Sequence, residues 1–360
     1  MERDARPHAA ATDDDHLGPR WRRLPCHRTR NARRDIRLPE LPMVQGILIS
    51  PAPDDEPVPE AWRLGADEER ARVAILGCGG AGCNTLRHIA APPNVDRIAL
   101  NDALHPAMAG PTRRLLLRPD SLRAFASMDE RVVAKMESDE EKRIAAAIMD
   151  RDFVIVVGGL GGQLGGWAMS LVGRVARILG DASLAVVTLP FTAEGALRRE
   201  TASAQLDLLR RKTEGVVVFA NDPLLRLVPD LPLARAFAVL GSLMARVVVG
   251  LSGSLGRSDL PAVRKMIGRA KEWRFGLGAG AEKHRCFLAV DEAYRSPWFA
   301  GRPEDIRQAV VLMGLPPSGG IEEELLREVR VRSPLADIAW AVLPESVPEE
   351  RAVVEILAGR

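Results

Sequence analysis

The chain has 360 residues, with 50 Lys and Arg against 48 Asp and Glu, a net charge of +2 and an isoelectric point near 8.4. This balance gives no case for nucleic acid as a partner, and the length is enough for two domains with sizeable cores. Four scattered cysteines, Cys26, Cys78, Cys83 and Cys286, predict reduced thiols in a cytoplasmic protein rather than a disulfide framework or a zinc site. No apolar run reaches the roughly 18 residues of a membrane span, which predicts a soluble chain without direct membrane insertion.

Residues 1–70 differ in composition from the rest. Residues 1–42 carry ten arginines and three histidines, which predicts a disordered tail, or upstream sequence translated from an early start codon with Met43 as the true start. The alternative is a basic arm that contacts lipid or nucleic acid, and the acidic run at residues 13–15 disfavours it. Residues 51–60 contain four prolines and predict a stiff linker. The folded part is expected to begin near Ala71.

From Ala71 onward, apolar runs with many β-branched residues alternate with segments of helical periodicity. Strands are predicted at 72–76, 97–100, 153–157, 184–188 and 215–220, and helices at 85–91, 137–149, 168–179 and 196–212. This alternation is typical of a Rossmann-like, doubly wound, mostly parallel α/β sheet.

A second, smaller domain is predicted after a long apolar helix. Residues 231–251 are apolar nearly all round at helical spacing, as expected of a core helix between two domains. Beyond it, mixed α and β segments predict a second α+β domain, with helices at 282–295 and 321–330 and strands at 308–313, 338–343 and 352–358. The predicted division is 1–70, 71–230, 231–258 and 259–360.

Two glycine loops carry the chemistry. The first, GCGGAGCN at 77–84, follows a predicted strand, and the second places six glycines within residues 158–166. A strand, a glycine loop and a helix in succession direct backbone N–H groups and a helix N-terminus toward a phosphate. The first loop alone could be a dinucleotide fingerprint, with Asp102 as the ribose acid of an NAD-type oxidoreductase. The second loop and the long helix argue against that class.

Five segments in order, within residues 71–360, resemble the tubulin/FtsZ superfamily. The loop at 77–84 resembles GVGGGGGN, and the strand at 153–157 leads into the position of the GGGTGTG signature. TLPFTAEG at 188–195 resembles TxPFxxEG, and VFANDPLL at 218–225 resembles VIPNDxLL. Phe237 lies near the start of the core helix, where the family places a phenylalanine against the base.

The resemblance implies a GTPase fold that binds GTP or GDP, with Mg²⁺ accompanying the nucleotide, in a cytoskeletal or cell-division protein. In the family, subunits form longitudinal filaments, so self-association or co-assembly with a true FtsZ is expected. The TxPFxxEG segment contacts the ribose, the asparagine of VIPNDxLL reads the purine, and the two loops hold the phosphates. The implied nucleotide-binding residues are Gly79, Gly80, Ala81, Gly82, Asn84, Gly161, Gly162, Gln163, Leu164, Gly165, Glu194, Arg198, Asn221 and Phe237.

The nucleotide loops depart from the family pattern. The signature loop reads GGQLGGW at 161–167, so both threonine hydroxyls are lost, and Leu164 and Trp167 are predicted to place apolar bulk beside a charged ligand. The family's base-reading aspartate falls on Ser242, which predicts a weakened purine preference.

The segment at 112–119 stands where the family has its γ-phosphate loop, TRGLGAGANP. Its basic composition predicts a solvated turn. The alternative is that Arg113, Arg114 and Arg118 pair with phosphate.

The loop after the core helix, which carries the catalytic acids in the family, differs most from the family pattern. In the family, acids of an NxDxxD motif after the core helix act in trans on the neighbour's nucleotide. Here the run is SLGRSD at 254–259, so Gly256 replaces the first acid and only Asp259 remains. Asp259 is either that single acid or the N-cap of the next helix. GTP hydrolysis is therefore predicted to be slow or lost. The alternative function is a non-enzymatic relative that acts as a structural or regulatory partner of a true FtsZ.

Overall fold

A computed structural model describes residues 61–66, 69–90, 92–104, 113–118 and 130–360, with the backbone alone at 130–138. Within these ranges one sheet of eleven strands runs through the protein, in the order β1-β10-β9-β11-β8-β7-β6-β5-β2-β3-β4. The strands are β1 Ala61–Arg63, β2 Val73–Cys78, β3 Val95–Asn101, β4 Arg113–Leu116, β5 Phe153–Gly159, β6 Ala182–Leu189, β7 Gly215–Ala220, β8 Glu272–Ala281, β9 Gln308–Gly314, β10 Asp337–Val342 and β11 Arg351–Gly359.

Helices cover both faces of the sheet. They are α1 Gly79–Leu86, α2 Glu130–Ile148, α3 Gln163–Leu179, α4 Ala196–Lys212, α5 Asp222–Leu227, α6 Leu233–Ser254, α7 Leu260–Ala270, α8 Arg285–Tyr294 and α9 Glu322–Arg332. One core cluster joins the sheet to α1, α6 and α7, and a second joins the other face to α2, α3 and α4. The expectation of a doubly wound, mostly parallel sheet is confirmed.

The parallel half is built on β5, which pairs with β2 on one side and β6 on the other. Phe153, Val154, Ile155, Val156 and Val157 have no exposed surface at all. Such a continuous apolar run suits a central parallel strand because helices cover both of its faces.

The second half continues the same sheet. Strand β8 joins β7 through only two parallel pairs, Val216 with Glu272 and Val217 with Trp273. Strand β11 then pairs antiparallel with β8 and β9, and a third cluster packs α8 and α9 against these strands. The predicted mixture of α and β elements is present. The division at 231–258 stays a prediction, since the sheet passes across it without a break.

The expectation that the folded part begins near Ala71 is wrong, because a strand already begins at Ala61. Ala61, Trp62 and Arg63 form the edge strand β1, parallel to β10, and Leu64 N donates to Trp340 O at 2.7 Å. A strand of three residues is too short to show a period in the sequence, and the stability of β1 comes from its partner strand. The prediction for residues 1–60 lies outside the described residues.

The expectation that no segment is long and apolar enough to span a membrane is wrong for the core helix. Helix α6 is long and apolar enough to cross a membrane by composition, with a mean hydropathy of 1.7, but 56% of that window is buried inside the protein. It is the only such helix among the described residues. A helix that lies between a sheet and neighbouring helices is apolar nearly all round for that reason.

Two local structures differ from those predicted from the sequence. Helix α1 begins at Gly79, inside the glycine run, rather than at Thr85, and residues 113–116 form the edge strand β4 rather than a turn. Leu115 and Leu117 pack on the second core cluster, and β4 pairs with β3. Tertiary packing therefore decides both elements against their local composition.

Acidic residues precede three neighbouring strands at the amino end of the sheet. Asp152 lies before β5, Asp181 before β6 and Glu214 before β7. Burial alone would raise the pKa of Asp152, but hydrogen bonds from the Arg72 backbone and guanidinium outweigh it and lower that pKa. Burial, together with the charge of Asp152, raises the pKa of Asp181 to about 6.

Asp181→Asn is expected to raise the melting temperature at pH 7. The Asp181 pKa rises from 3.8 in the unfolded chain to about 6 in the fold, so its ionised form costs stability above about pH 6, and that cost disappears as the pH falls toward 4. The gain from the substitution should shrink over the same window. Melting curves between pH 4.5 and 8 measure it, with the exposed Asp207→Asn as control. A gain that is independent of pH would contradict the assignment.

Candidate functional site

Two helix N-termini meet at the carboxyl end of the central strands. Helix α1 follows β2 and helix α3 follows β5, and these strands are neighbours in the sheet. A Cβ added to Gly79 would be in van der Waals contact with the Cα of Gly165, at 3.4 Å, so the first turns of the two helices lie side by side. Gly79 also has φ of +68°, a left-handed conformation that favours glycine. Two positive helix ends are thereby directed into one cavity.

This cavity, the central cleft, has a volume of about 550 Å³. That size falls within the range of small-molecule sites. Twelve of the residues predicted from the sequence line it: Gly79, Gly80, Ala81, Asn84, Gly162, Gln163, Leu164, Gly165, Glu194, Arg198, Asn221 and Phe237.

Two predicted residues lie outside the lining. Gly82 is buried in α1, where a Cβ would lie 2.2 Å from Val157 O, so its role is to let α1 pack on β5. Gly161 has φ of +89°, and its N–H donates to Gln205 Oε1 at 2.8 Å. Gln205 Nε2 in turn donates to Gly162 O at 2.6 Å. The glutamine thus fixes the shape of the second loop and occupies one of its N–H groups.

The two apolar residues of the second loop, Leu164 and Trp167, lie in different places. Leu164 lines the central cleft in the first turn of α3. Trp167 is only 5% exposed and belongs to the core cluster on the α2–α4 face, so its expected place beside a ligand is wrong. One helical turn past the loop, its side chain points away from the cleft and into the core.

The polar wall of the cleft is held by short-range contacts. Glu194 Oε1 accepts the Phe191 N–H at 2.7 Å, and the other oxygen of Glu194 binds the Arg198 guanidinium. The half-exposed ring of Phe237 meets Phe191 edge to face, with centroids 5.7 Å apart. Phe237 therefore presents part of its ring to the cavity.

Asn221 is the most informative side chain of the cleft. It is 3% exposed, yet its Oδ1 has no hydrogen-bond partner. A buried amide oxygen without a hydrogen-bond partner destabilises a fold by about 1–3 kcal/mol. A protein can retain such an oxygen where a bound ligand supplies the donor. The two helix N-termini at this cavity favour an anionic ligand.

Three further residues that the sequence associated with the nucleotide, Ser242, Arg113 and Arg118, have other surroundings in the structure. Ser242 lies in a separate cavity of about 290 Å³ with His88 and Arg246, so it does not face the central cleft. Arg113 Nη1 donates to Ala147 O at 3.1 Å, and Arg118 Nη1 to Asp139 at 3.3 Å, so both arginines are tied to α2 rather than to the cleft.

Asp259 lies at the other end of the core helix, which at 22 residues is about 33 Å long. It stands at the first position before α7, but its carboxylate makes no capping bond to that helix. Its Oδ2 instead accepts the N–H groups of Gly65 at 2.6 Å and Gly256 at 2.8 Å. The side-chain cap predicted from the sequence is therefore wrong, because the carboxylate turns back toward the preceding loop.

Sequence reasoning did not assign several polar or small residues that line the cleft, among them Asn101, Thr188 and Cys78. Asn101 ends β3, Thr188 lies near the end of β6, and Cys78 ends β2. Their position at the carboxyl ends of parallel strands, where ligands of such sheets bind, was the available signal. Burial raises the pKa of Cys78 well above its usual value, so its thiol stays neutral.

No group of three metal-ligating side chains occurs in the part of the chain that the structure describes. A Mg²⁺ ion here would be held chiefly by the phosphates of the nucleotide itself, as this ion often is. A doubly wound sheet with two glycine loops at one cleft defines the class of phosphate-binding α/β proteins.

Comparison with known proteins narrows this class. The model of the Tubulin/FtsZ family GTPase domain matches residues 72–229. Cell division protein FtsZ 1 of Archaeoglobus fulgidus is 30% identical over 288 residues, which cover 77% of this chain and 78% of that protein. FtsZ 1 of Methanocaldococcus jannaschii is 28% identical, over 81% of this chain and 84% of that protein.

Solved structures of FtsZ and CetZ proteins also resemble this chain. An FtsZ dimer of M. jannaschii superposes with a TM-score of 0.70 and 26% identity, over 81% of this chain and 89% of that chain. CetZ2 from Haloferax volcanii, a GTPγS-bound protofilament, shares the fold with a TM-score of 0.62 at 16% identity, over 80% of this chain and 92% of that chain. The chain belongs to the tubulin/FtsZ family and is an FtsZ-like GTPase-domain protein.

Asn221→Leu is expected to raise the free energy of unfolding of the ligand-free protein by about 1 kcal/mol, because the orphaned buried oxygen is removed. Urea denaturation measures it. The matched control is Asn101→Leu, which is also buried but loses the bond from Nδ2 to Ala103 O, and should be destabilised. A loss of stability in Asn221→Leu as large as in the control would show that the Asn221 amide is satisfied without a ligand.

Proposed function

We propose that the protein binds GTP or GDP, with Mg²⁺, in the central cleft and joins or forms longitudinal filaments with FtsZ-type subunits in the cytoplasm. The observation that carries this proposal is the convergence of two helix N-termini on a cavity of about 550 Å³ that Asn221 and Phe237 also line. The kinship with cell division FtsZ supports the class of nucleotide and the filament role.

The phosphates would lie between the first turns of α1 and α3. Backbone N–H groups there point along helix axes whose positive ends favour an anion, whatever side chains the loops carry. For this reason the loss of the two threonine hydroxyls weakens phosphate binding but leaves the backbone N–H groups that would hold the phosphates. Arg198 lines the same cavity, where its guanidinium is paired with the Glu194 carboxylate.

The purine would lie between Asn221 and Phe237. The Asn221 amide can hydrogen-bond the base from the wall of the cleft, and the ring of Phe237 offers a surface for stacking. No carboxylate stands at the position of Ser242 to accept two N–H groups of guanine. We therefore expect GTP to be preferred over ATP by a smaller factor than in relatives that carry that acid.

Hydrolysis is proposed to be slow or lost. Phosphoryl transfer depends on a precisely positioned water and on charges aimed at the transition state. The loop that would supply acids in trans has Gly256 in place of one, and the Asp259 carboxylate is engaged with two backbone N–H groups.

The alternative is a relative that has lost nucleotide binding and acts as a structural or regulatory partner. Two observations favour it: Leu164 lies in the cleft, and the Gly161 N–H is taken by Gln205. Nucleotide affinity separates the two functions.

Gly162→Asp is expected to abolish nucleotide binding while the fold is kept. Gly162 is the N-cap of α3, has extended backbone, and has nothing within 4 Å of an added Cβ. Aspartate is a good N-cap, but its charge would repel a phosphate. Gly162→Asn is the matched control, since it is an equally good cap without the charge. Isothermal titration with GTP, GDP and ATP gives the affinities, and phosphate release at high protein concentration gives the turnover.

Binding of GTP by the wild type and by Gly162→Asn, but not by Gly162→Asp, would support the proposed function. Absence of binding at millimolar nucleotide would leave the alternative. Turnover as fast as that of a hydrolysing FtsZ would contradict the proposed loss of hydrolysis.

A further inference from the structure

The second glycine loop is held from outside by a helix that follows it in the chain. Gly161 N donates to Gln205 Oε1 at 2.8 Å, and Gln205 Nε2 donates to Gly162 O at 2.6 Å. Gln205 lies in α4, whose buried residues Ala202 and Leu206 belong to the same core cluster as the buried face of α3. One amide side chain on a firmly packed helix thus fixes two successive residues of the loop.

Gly166 makes room for this glutamine. A Cβ added to Gly166 would lie 2.2 Å from Gln205 Cδ, 2.5 Å from its Oε1 and 2.6 Å from its Cγ, and these are the three nearest atoms. Any side chain at position 166 would therefore push Gln205 away from the loop. In the motif GGGTGTG this position is the second threonine, so Gln205 fills, from α4, the space next to which that threonine would stand.

The N–H groups around the loop divide into two sets. Leu160 N donates to Thr188 O at 2.9 Å, and Gly161 N donates to Gln205, so both of these groups are satisfied within the protein. The next four residues are the N-cap and first turn of α3, and all of them line the central cleft: Gly162, Gln163, Leu164 and Gly165. N–H groups at such positions have no acceptor within their own helix, so they are available to an anion.

Gln205 acts at the point where the chain turns from β5 into α3. Gly161 has φ of +89°, a left-handed conformation, and Gly162 is the N-cap of α3. The carbonyl of an N-cap accepts the first hydrogen bond of its helix, and Gln205 also binds this carbonyl. Since a glycine N-cap has no side chain to fix it, the direction of the first turn depends on contacts from outside the loop, and Gln205 supplies two of them.

We propose that Gln205 is a positioning residue for the phosphates of the bound nucleotide, an inference that rests on the proposed nucleotide binding. By holding Gly161 and Gly162, it keeps the N–H groups of the first turn of α3 directed into the central cleft. The loop can therefore bind phosphate although both threonine hydroxyls of the motif are lost. The hydrogen bond at Gly161 supports binding in this arrangement and does not compete with the ligand for an N–H group.

The test measures the affinity for GDP with Mg²⁺ by isothermal titration, since GDP binding involves no turnover. Gln205→Met keeps the length of the side chain but makes neither hydrogen bond, and the affinity is expected to fall tenfold or more, which is about 1.4 kcal/mol. The control is Gln308→Met in β9, where a buried glutamine loses its bond to Asp337. The control should lower the free energy of unfolding in urea and leave the GDP affinity unchanged.

An unchanged affinity in Gln205→Met would overturn the positioning role while nucleotide binding stands. A tighter affinity would also overturn it, because Gln205 would then be a competitor of the phosphate for the Gly161 N–H. Absence of GDP binding by the wild type at millimolar concentration would overturn the positioning role together with the proposed function.

The link to Gly166 is tested by a double-mutant cycle. Gly166→Thr displaces Gln205 and should weaken GDP binding, as Gln205→Ala does. Because both changes break the same contact, the double variant should bind no more weakly than Gly166→Thr alone. Losses that multiply in the double variant would show that the two residues act separately and would overturn the proposal.

Gln205→Glu gives a pH-dependent measure of the two hydrogen bonds. Its carboxyl can accept the Gly161 N–H at any pH, but it can donate to Gly162 O only when protonated. As the pH falls from 8 to 5, its GDP affinity should rise past that of Gln205→Met. An affinity below that of Gln205→Met over this whole range would show that the hydrogen bonds do not support binding.

The contact itself is measured without nucleotide. The Gly161 amide should be protected from hydrogen exchange in the wild type and should exchange at least tenfold faster in Gln205→Met. The Leu160 amide, which donates to a backbone carbonyl of β6, is the internal control and should keep its protection. A wild-type Gly161 amide that exchanges as in an unfolded chain would overturn the proposal.

Discussion

The contact between the first turns of α1 and α3 is the constraint on which the rest of the site depends. Each helix begins directly after a central strand, and the two strands are hydrogen-bonded neighbours, so the helix ends must share a narrow space. Gly79 supplies the left-handed backbone at the start of α1, Gly165 lies where a Cβ would be 2.9 Å from Gly159 O, and Gly82 lets α1 lie against β5. The result is a cavity with two positive helix ends, which Asn221 also lines.

A phosphate site made from backbone tolerates changes of side chain. The second loop has lost its hydroxyls and gained Leu164, yet the helix N-termini that would hold an anion are still in place. A catalytic loop has no such tolerance, since it acts through particular carboxylates at a particular distance. This difference explains how one chain can keep the architecture of the family's nucleotide cleft while the loop after the core helix becomes an internal structural contact around Asp259.

Much of the fold could be predicted because its signals are local. Five fully buried β-branched or aromatic residues in a row predict β5, and the alternation of such runs with helical segments predicts the doubly wound sheet. The elements that were misjudged depend on distant partners. Strand β1 exists because β10 offers an edge, β4 because β3 does, and α1 starts at Gly79 because β5 lies beneath it.

The sequence by itself determined the family, the two glycine loops and twelve residues of the central cleft, because these follow from chain order and residue type. Only the tertiary structure decided where side chains point and what they bind. In the folded chain Trp167 packs in the core, the Gly161 N–H donates to Gln205, and the Asn221 side-chain oxygen has no hydrogen-bond partner. The tertiary structure also brought Gly65 to Gly256 and Asp259 across nearly two hundred residues, a contact that no local pattern encodes because only the folded sheet brings these segments together.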